Sequence, residues 1–354
     1  MNKKRNSRPA VQVSRRGVVQ SAGALAAATA LNTLFPSVLL AGNRPLDDVP
    51  RSDYGFATTC DDVVAGMNLK GTTVLITGCN SGLGYESMRS LAAAGAHVIG
   101  TARTWEKAEA ACASVEGYTT PVVCELTDMS SVWACAETIR ETGRPIDALM
   151  CNAGIMALPE LEQIDVGGTL LEKQFVVNHL GHYLLTRRLL DQVLAADNGK
   201  VVMVSSLGYT LAPEGGIQFD NLSGDNGYQA FKNYGQTKLA NILFSNELSS
   251  RYDGKLTANA IHPGLVATNL GRYMRGDKDG TSERPDKPLR KGQKTAAQGA
   301  ATQVYVAADP RLDGCSGFYF EDCNPVALKG DYAADAKLAK KLWSESEKLV
   351  KRWL

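Results

Sequence analysis

The sequence predicts an α/β protein: one doubly wound domain whose seven-stranded parallel sheet carries helices on both faces. Three observations predict it. From Leu69 onward, short β-branched runs alternate with amphipathic helical stretches. A glycine-rich turn links the first of those runs to the first helix. No internal repeat and no break in composition marks a second folded domain, and 354 residues at 44% hydrophobic are enough to bury a substantial core.

Strands are expected at Thr72–Thr77, His97–Ala102, Val122–Glu125, Ile146–Cys151, Val201–Ser205 and Thr257–His262, with a seventh at Phe318–Phe320. Helices are expected at Leu83–Ala94, Trp105–Cys112, Ser130–Arg140, Glu172–Leu194, Phe231–Tyr252, Thr295–Ala308 and Ala333–Trp353. Leu270–Lys294 interrupts this rhythm with many Gly, Pro, Lys, Arg and Asp residues and reads as a polar surface loop or lid.

The front of the chain differs in kind. Residues 1–46 hold seven basic residues and no acid; subtracting them from the overall +1 leaves about −6 on the rest, which excludes a broadly basic surface for nucleic acid. Ser14-Arg15-Arg16-Gly17-Val18-Val19 precedes a modestly apolar run, Ala22–Leu40, and resembles a twin-arginine export signal. This divides the chain into a signal segment (1–41), a linker and N-terminal extension (42–68) and a folded domain (69–354). It implies the twin-arginine export machinery as a partner and a bacterial periplasmic location, with a membrane tether if the signal is not cleaved. Of the eight cysteines, only Cys315 and Cys323 look placed to pair; the others sit in motifs or on apolar elements, and no metal-ligand spacing occurs.

The strand at Thr72–Thr77 runs into Gly78-Cys79-Asn80-Ser81-Gly82-Leu83-Gly84 and then a helix, the strand–turn–helix of a Rossmann dinucleotide site. Gly78 permits the tight turn, Gly82 the approach of a pyrophosphate and Gly84 close helix–strand contact, with Asn80, Ser81 and Leu83 in the same turn. The second strand ends in Ala102, where an enzyme preferring NAD carries a carboxylate for the ribose hydroxyls. Arg103 follows, and its guanidinium suits a 2′-phosphate, so NADP(H) is expected over NAD(H).

Tyr234 and Lys238 lie four apart on an expected helix, so phenol and ammonium share a face. A neighbouring cation favours phenolate and lowers the tyrosine pKa from about 10 toward neutrality, tuning it to exchange a proton with a carbonyl or alcohol oxygen.

Taken together, Thr77-Gly78-x-x-x-Gly82-x-Gly84, Asn152-Ala153-Gly154, Asn178, Ser206, Tyr234-x-x-x-Lys238 and His262-Pro263-Gly264 resemble the short-chain dehydrogenase/reductases over essentially all of Leu69–Leu354. The stretches Asn178–Thr186, Lys238–Phe244 and Leu342–Leu349 are similar to the branch containing retinol dehydrogenases, the WW-domain oxidoreductase and protochlorophyllide reductase. The resemblance implies a catalytic set of Asn178, Ser206, Tyr234 and Lys238. Asn178 would hold a water joining Lys238 to solvent, and Ser206 would bond the substrate oxygen. Asn152, Ala153 and Gly154 would close the strand beneath the adenosine, with Glu125 and Leu126 near the adenine. Pro263, Gly264 and Val266 would border the nicotinamide, with Thr268 near its carboxamide. The activity implied is NAD(P)-dependent interconversion of a small-molecule carbonyl and alcohol; a homo-oligomer is compatible with it. The alternatives are NADPH-dependent reduction of a carbon–carbon double bond and non-catalytic dinucleotide sensing.

Overall fold

The computed structural model describes residues 45–275 and 289–354. Its strands are β1 (Thr73–Thr77), β2 (His97–Ala102), β3 (Tyr118–Val123), β4 (Ala148–Cys151), β5 (Gln163–Val166), β6 (Thr169–Glu172), β7 (Lys200–Val204), β8 (Thr257–His262), β9 (Tyr319–Glu321) and β10 (Asn324–Pro325). Its helices are α1 (Cys60–Val64), α2 (Gly82–Ala93), α3 (Trp105–Ala113), α4 (Met129–Arg140), α5 (Lys173–Phe175), α6 (Gly181–Arg188), α7 (Leu190–Leu194), α8 (Ala230–Arg251), α9 (Ala296–Ala308) and α10 (Ala336–Val350).

Strands covered on both faces read as continuous apolar runs, and β1, β4, β7 and β8 are buried along their whole length. The main sheet runs β10-β9-β8-β7-β4-β1-β2-β3. All neighbours are parallel except β9 and β10. The sheet therefore has eight strands, not the seven expected from sequence. The extra strand is only two residues long, too short for any periodic signal. One face is covered by α4 to α8 and α10, through Phe175, Tyr183, Leu243, Phe244 and Trp343. The other is covered by α1, α2 and α9, through Met88, Leu91, Val304 and Tyr305. Each such fully buried side chain contributes about 1.5–3 kcal/mol.

Three other expectations shift. The third strand begins at Tyr118 rather than Val122; Pro121 is tolerated because β3 is an edge strand. The continuous helix expected over Glu172–Leu194 is broken: α5 widens into π-helical geometry over Val176–Leu180, then continues as α6 and α7. Ahead of it stands an unexpected hairpin, β5–β6, turning on Gly167 (φ +65°) and Gly168 (φ +94°).

Residues 1–44, with the expected signal, and 276–288, the middle of the expected polar loop, lie outside the described residues. The N-terminal extension is no loose linker from residue 45 on. Thr59 and Asp62 form a reciprocal capping box that starts α1, and Tyr54 meets Tyr305 edge-on at 5.8 Å. No helix among the described residues is long and apolar enough to cross a membrane. All eight cysteines are free, so the expected Cys315–Cys323 pair is absent: Cys323 lies buried against Thr302 Oγ1, and Cys315 sits beside the Arg311 carbonyl.

Candidate functional site

Strand order reverses between β1 and β4, and an open α/β sheet of this kind carries its cleft at the carboxyl ends of the strands beside that point. A cleft of about 1190 Å³ opens there. Glycine turn, β2 end, Asn152–Gly154, Ser206, Tyr234, Lys238, Pro263–Val266 and Thr268 all line it. Every cofactor-binding and catalytic residue expected from sequence does so, except Gly84 and Asn178, which stand just behind the wall.

The cradle at the start of α2 fits a dinucleotide. Gly78 (φ +72°) and Gly82 (φ +60°) hold left-handed backbone that a side chain would strain. A Cβ on Gly84 would run into the Gly78 carbonyl and lie 2.6 Å from Asn152 Nδ2. Ser81 makes no side-chain cap bond, so the first amides of α2 face the cleft as donors for a phosphate. Asn152 fixes the turn from behind: its Nδ2 donates to Thr77 O (2.8 Å), while its own amide and that of Ala153 donate to Thr77 Oγ1 (2.9 and 3.0 Å). At the β2 end, Ala102 is buried and Arg103 is exposed on the cleft wall, joined by Lys107 one turn into α3. The Glu125 carboxylate accepts from the amide and hydroxyl of Thr127 (3.0 and 2.9 Å), so it is turned into its own loop; Leu126 is buried beside it.

At the other end Tyr234 and Lys238 share the cleft-facing side of α8. Lys238 Nζ lies 5.6 Å from the Tyr234 ring centre and donates to Val204 O (2.9 Å). Ser206 Oγ accepts from Gly208 N (3.0 Å), and Gly208 has no side chain to obstruct the Tyr234 ring: a Cβ there would lie 3.0 Å from Tyr234 Cε1. Ser205, the confusable neighbour, also borders the cleft, but it is buried and gives its proton to the Lys238 carbonyl (2.7 Å), whereas the Ser206 hydroxyl accepts from Gly208 N and keeps its proton to donate.

The electrostatics depart from the sequence expectation. Burial pushes the Tyr234 phenol up to about 12, with a hydrogen bond from Ser206 pulling the other way. Burial also lowers the Lys238 ammonium to about 8. Desolvation therefore dominates over the neighbouring cation, and Tyr234 is a neutral phenol at pH 7.

Asn178 sits in the π-helical turn and commits both amide protons and one oxygen lone pair to structure. Its Oδ1 accepts from Ile155 N (2.8 Å), and its Nδ2 donates to Ile155 O and Thr237 Oγ1 (both 2.9 Å). This ties the segment after Gly154 to the helix bearing Tyr234. Behind it stands His182, which the sequence did not single out. Thr77 Oγ1 already accepts two amides, so its proton goes to His182 Nε2 (2.8 Å), and His182 Nδ1–H donates to the Asn178 carbonyl (3.1 Å). Burial holds this ring's pKa down at about 4, so it stays neutral. The network links the glycine turn to Asn178. Lys107 and Lys294 were also missed. Lys107 follows Arg103 by four positions, a readable helical spacing, whereas Lys294 lay hidden in the charged stretch.

A family model described as short chain dehydrogenase matches residues 72–279. Short-chain dehydrogenase TIC 32 B, chloroplastic, from Brassica napus is 38% identical over 314 residues, covering 85% of this chain and 95% of its own. Retinol dehydrogenase 14 from Homo sapiens is 38% identical over 307 residues, covering 80% of this chain and 87% of its own. Among solved structures, one described as a putative NAD(P) dependent gluconate 5-dehydrogenase from Beutenbergia cavernae, with NADP bound at low occupancy, matches with a TM-score of 0.54 at 25% identity, covering 72% of this chain and 96% of that one. The chloroplastic relative overturns the expected periplasmic address and its twin-arginine partner. An arginine pair followed by a modestly apolar run is too short and general a pattern to fix a compartment.

Proposed function

The chain belongs to the short-chain dehydrogenase family, and from that premise we propose that it is an NADP(H)-preferring oxidoreductase interconverting a carbonyl and an alcohol. The observation that carries the proposal is convergence. Ser206, Tyr234 and Lys238 meet on the same cleft as the glycine turn and the Pro263–Thr268 loop. A bound reduced nicotinamide would supply the hydride.

In the reductive direction, Tyr234 holds the proton to be delivered, and its high pKa keeps that proton on the phenol until oxyanion character develops on the substrate. Ser206 stabilises the same oxygen by hydrogen bonding. Lys238, poised between charged and neutral forms, holds the cofactor ribose and repays the tyrosine's proton. Asn178 positions both through Ile155 and Thr237 and stands where a proton path toward solvent would begin. Gly78–Gly84 and the α2 amides hold the pyrophosphate, and Asn152–Gly154 support the adenosine. Arg103, assisted by Lys107, takes the 2′-phosphate. Pro263, Gly264 and Val266 border the nicotinamide, with Thr268 beside the carboxamide.

A screen of ketones, aldehydes and alcohols, followed by NADPH absorbance and repeated with NADH, tests this. Turnover favouring NADPH is expected, with Arg103→Glu reversing the preference. Cofactor binding with no turnover across the panel would overturn the catalytic reading.

A further inference from the structure

Lys294 is a cation with only 1% of its surface exposed, on a segment that the mechanism above does not use. Its Nζ pairs with Asp322 (2.5 Å) and lies 5.3 Å from the centre of the Phe56 ring. Its backbone brackets the cleft loop: Lys294 N donates to Leu265 O (2.9 Å), and Ala267 N donates to Lys294 O (3.0 Å). Its stem runs directly beneath Gly264 (φ +87°), where an added Cβ would lie 3.0 Å from Cδ and 3.1 Å from Cε. The side chain is thus the floor on which the Pro263–Val266 backbone rests.

The anchor of that floor is unusually constrained. Asp322 and Cys323 form the two-residue turn between β9 and β10, both left-handed (φ +51° and +60°) though neither is glycine. The N-terminal extension holds this turn. Ser52 Oγ donates to Cys323 O (2.8 Å), Ser52 N donates to Asn324 Oδ1 (3.0 Å), and Asn324 Nδ2 donates to Tyr54 O (3.0 Å). The same extension contributes Phe56. On the cleft side, the His262 ring accepts from Leu207 N (3.3 Å), the residue after Ser206.

We propose that Lys294 is a positioning residue for the nicotinamide half of the dinucleotide, holding the Pro263–Val266 backbone through its ion pair with Asp322. The proposal rests on the dinucleotide reading of the cleft. It assigns the N-terminal extension a part in cofactor placement, because that segment fixes the turn carrying Asp322. Lys294 touches no reacting atom in this scheme; it acts through Gly264 and Leu265.

The test compares two probes on the full chain, NADPH and adenosine 2′,5′-bisphosphate, the latter carrying only the adenosine half. Lys294→Met is expected to weaken NADPH by roughly tenfold or more, since it releases the Gly264–Leu265 backbone from the anchor at Asp322, whose own carboxylate is about a third exposed. The same variant should bind the bisphosphate within about twofold of wild type. Amide exchange in the peptide spanning residues 262–268 should quicken before any cofactor is added, and Lys294→Arg should restore most of the NADPH affinity. If Lys294→Met fails to fold, Asp322→Asn, which keeps a group able to accept from Lys294 and tolerates left-handed backbone, should show the same split between probes in weaker form. Equal loss of both probes, or no loss of either, overturns the proposal. Wild-type protein that binds neither probe overturns the NADP(H) reading of the cleft, and failure to bind NADH as well overturns the dinucleotide reading itself; both are distinct from wild type and Lys294→Met binding both probes equally.

Discussion

Replacing Lys238 by Met should make the protein more stable and catalytically dead. The ammonium is buried, and its pKa falls from 10.5 to about 8 through desolvation. That shift corresponds to about 3 kcal/mol by which the folded state disfavours the charged lysine at pH 7. Met fills nearly the same volume without a charge. The lost hydrogen bond to Val204 O offsets about 1 kcal/mol, but that carbonyl keeps Asn241 Nδ2 at 3.2 Å and is not left unsatisfied. A net gain of about 2 kcal/mol at pH 7 follows. The sign of the pH dependence is fixed as well. Between about pH 8 and 10.5 the unfolded chain holds a proton on this lysine that the folded chain has released. Wild-type stability from this source therefore rises across that window, and the advantage of Lys238→Met fades over it. Urea unfolding followed by tryptophan fluorescence at pH 7 and pH 10, with no dinucleotide added, measures both. A variant less stable than wild type at pH 7, or an advantage that is the same at both pH values, would refute the reasoning.

Other outcomes follow from the same structure. His179, His182 and His262 are pushed by burial to about 3, 4 and 4, so the unfolded chain takes up three protons below pH 6.5 that the folded chain refuses. Each contributes stability that is present above pH 6.5 and falls by roughly 3 kcal/mol toward pH 4. Glu172, raised by burial to about 7, acts in the opposite direction between pH 4.5 and 7 and offsets one of them. The urea midpoint should therefore drop steeply from pH 6.5 to 4, and a flat profile would contradict this. Gly84→Ala should abolish dinucleotide binding while Gly215→Ala, at an open left-handed turn with nothing within 4 Å, should cost only about 1 kcal/mol of stability and leave binding intact; calorimetric titration distinguishes them.

What the sequence disclosed was whatever is local. The glycine turn, the buried strands and the Tyr234–Lys238 spacing are short-range patterns, and each stands where its period put it. The β5–β6 hairpin was also local: Gly167-Gly168 is a strong turn signal, but it lies ahead of the helix expected from Glu172, in a stretch to which no element was assigned. Long-range pairings were invisible. Nothing near Lys294 in the chain announces Asp322, 28 residues away, or Phe56 on the N-terminal extension. Nor does a Tyr-x-x-x-Lys spacing disclose how dry its surroundings are, which is why the tyrosine pKa was expected to fall and instead rises. His182 escaped for the same reason, since its partner Thr77 lies 105 residues earlier.

The most direct measurement is the rate of NADPH-dependent carbonyl reduction by Tyr234→Phe beside wild type, with NADPH affinity determined in parallel. Loss of the phenolic proton should lower turnover by about 10²–10⁴-fold and leave the dissociation constant unchanged. Turnover within about twofold of wild type would mean that Tyr234 does not deliver the proton, and the chemistry assigned to this cleft would be wrong.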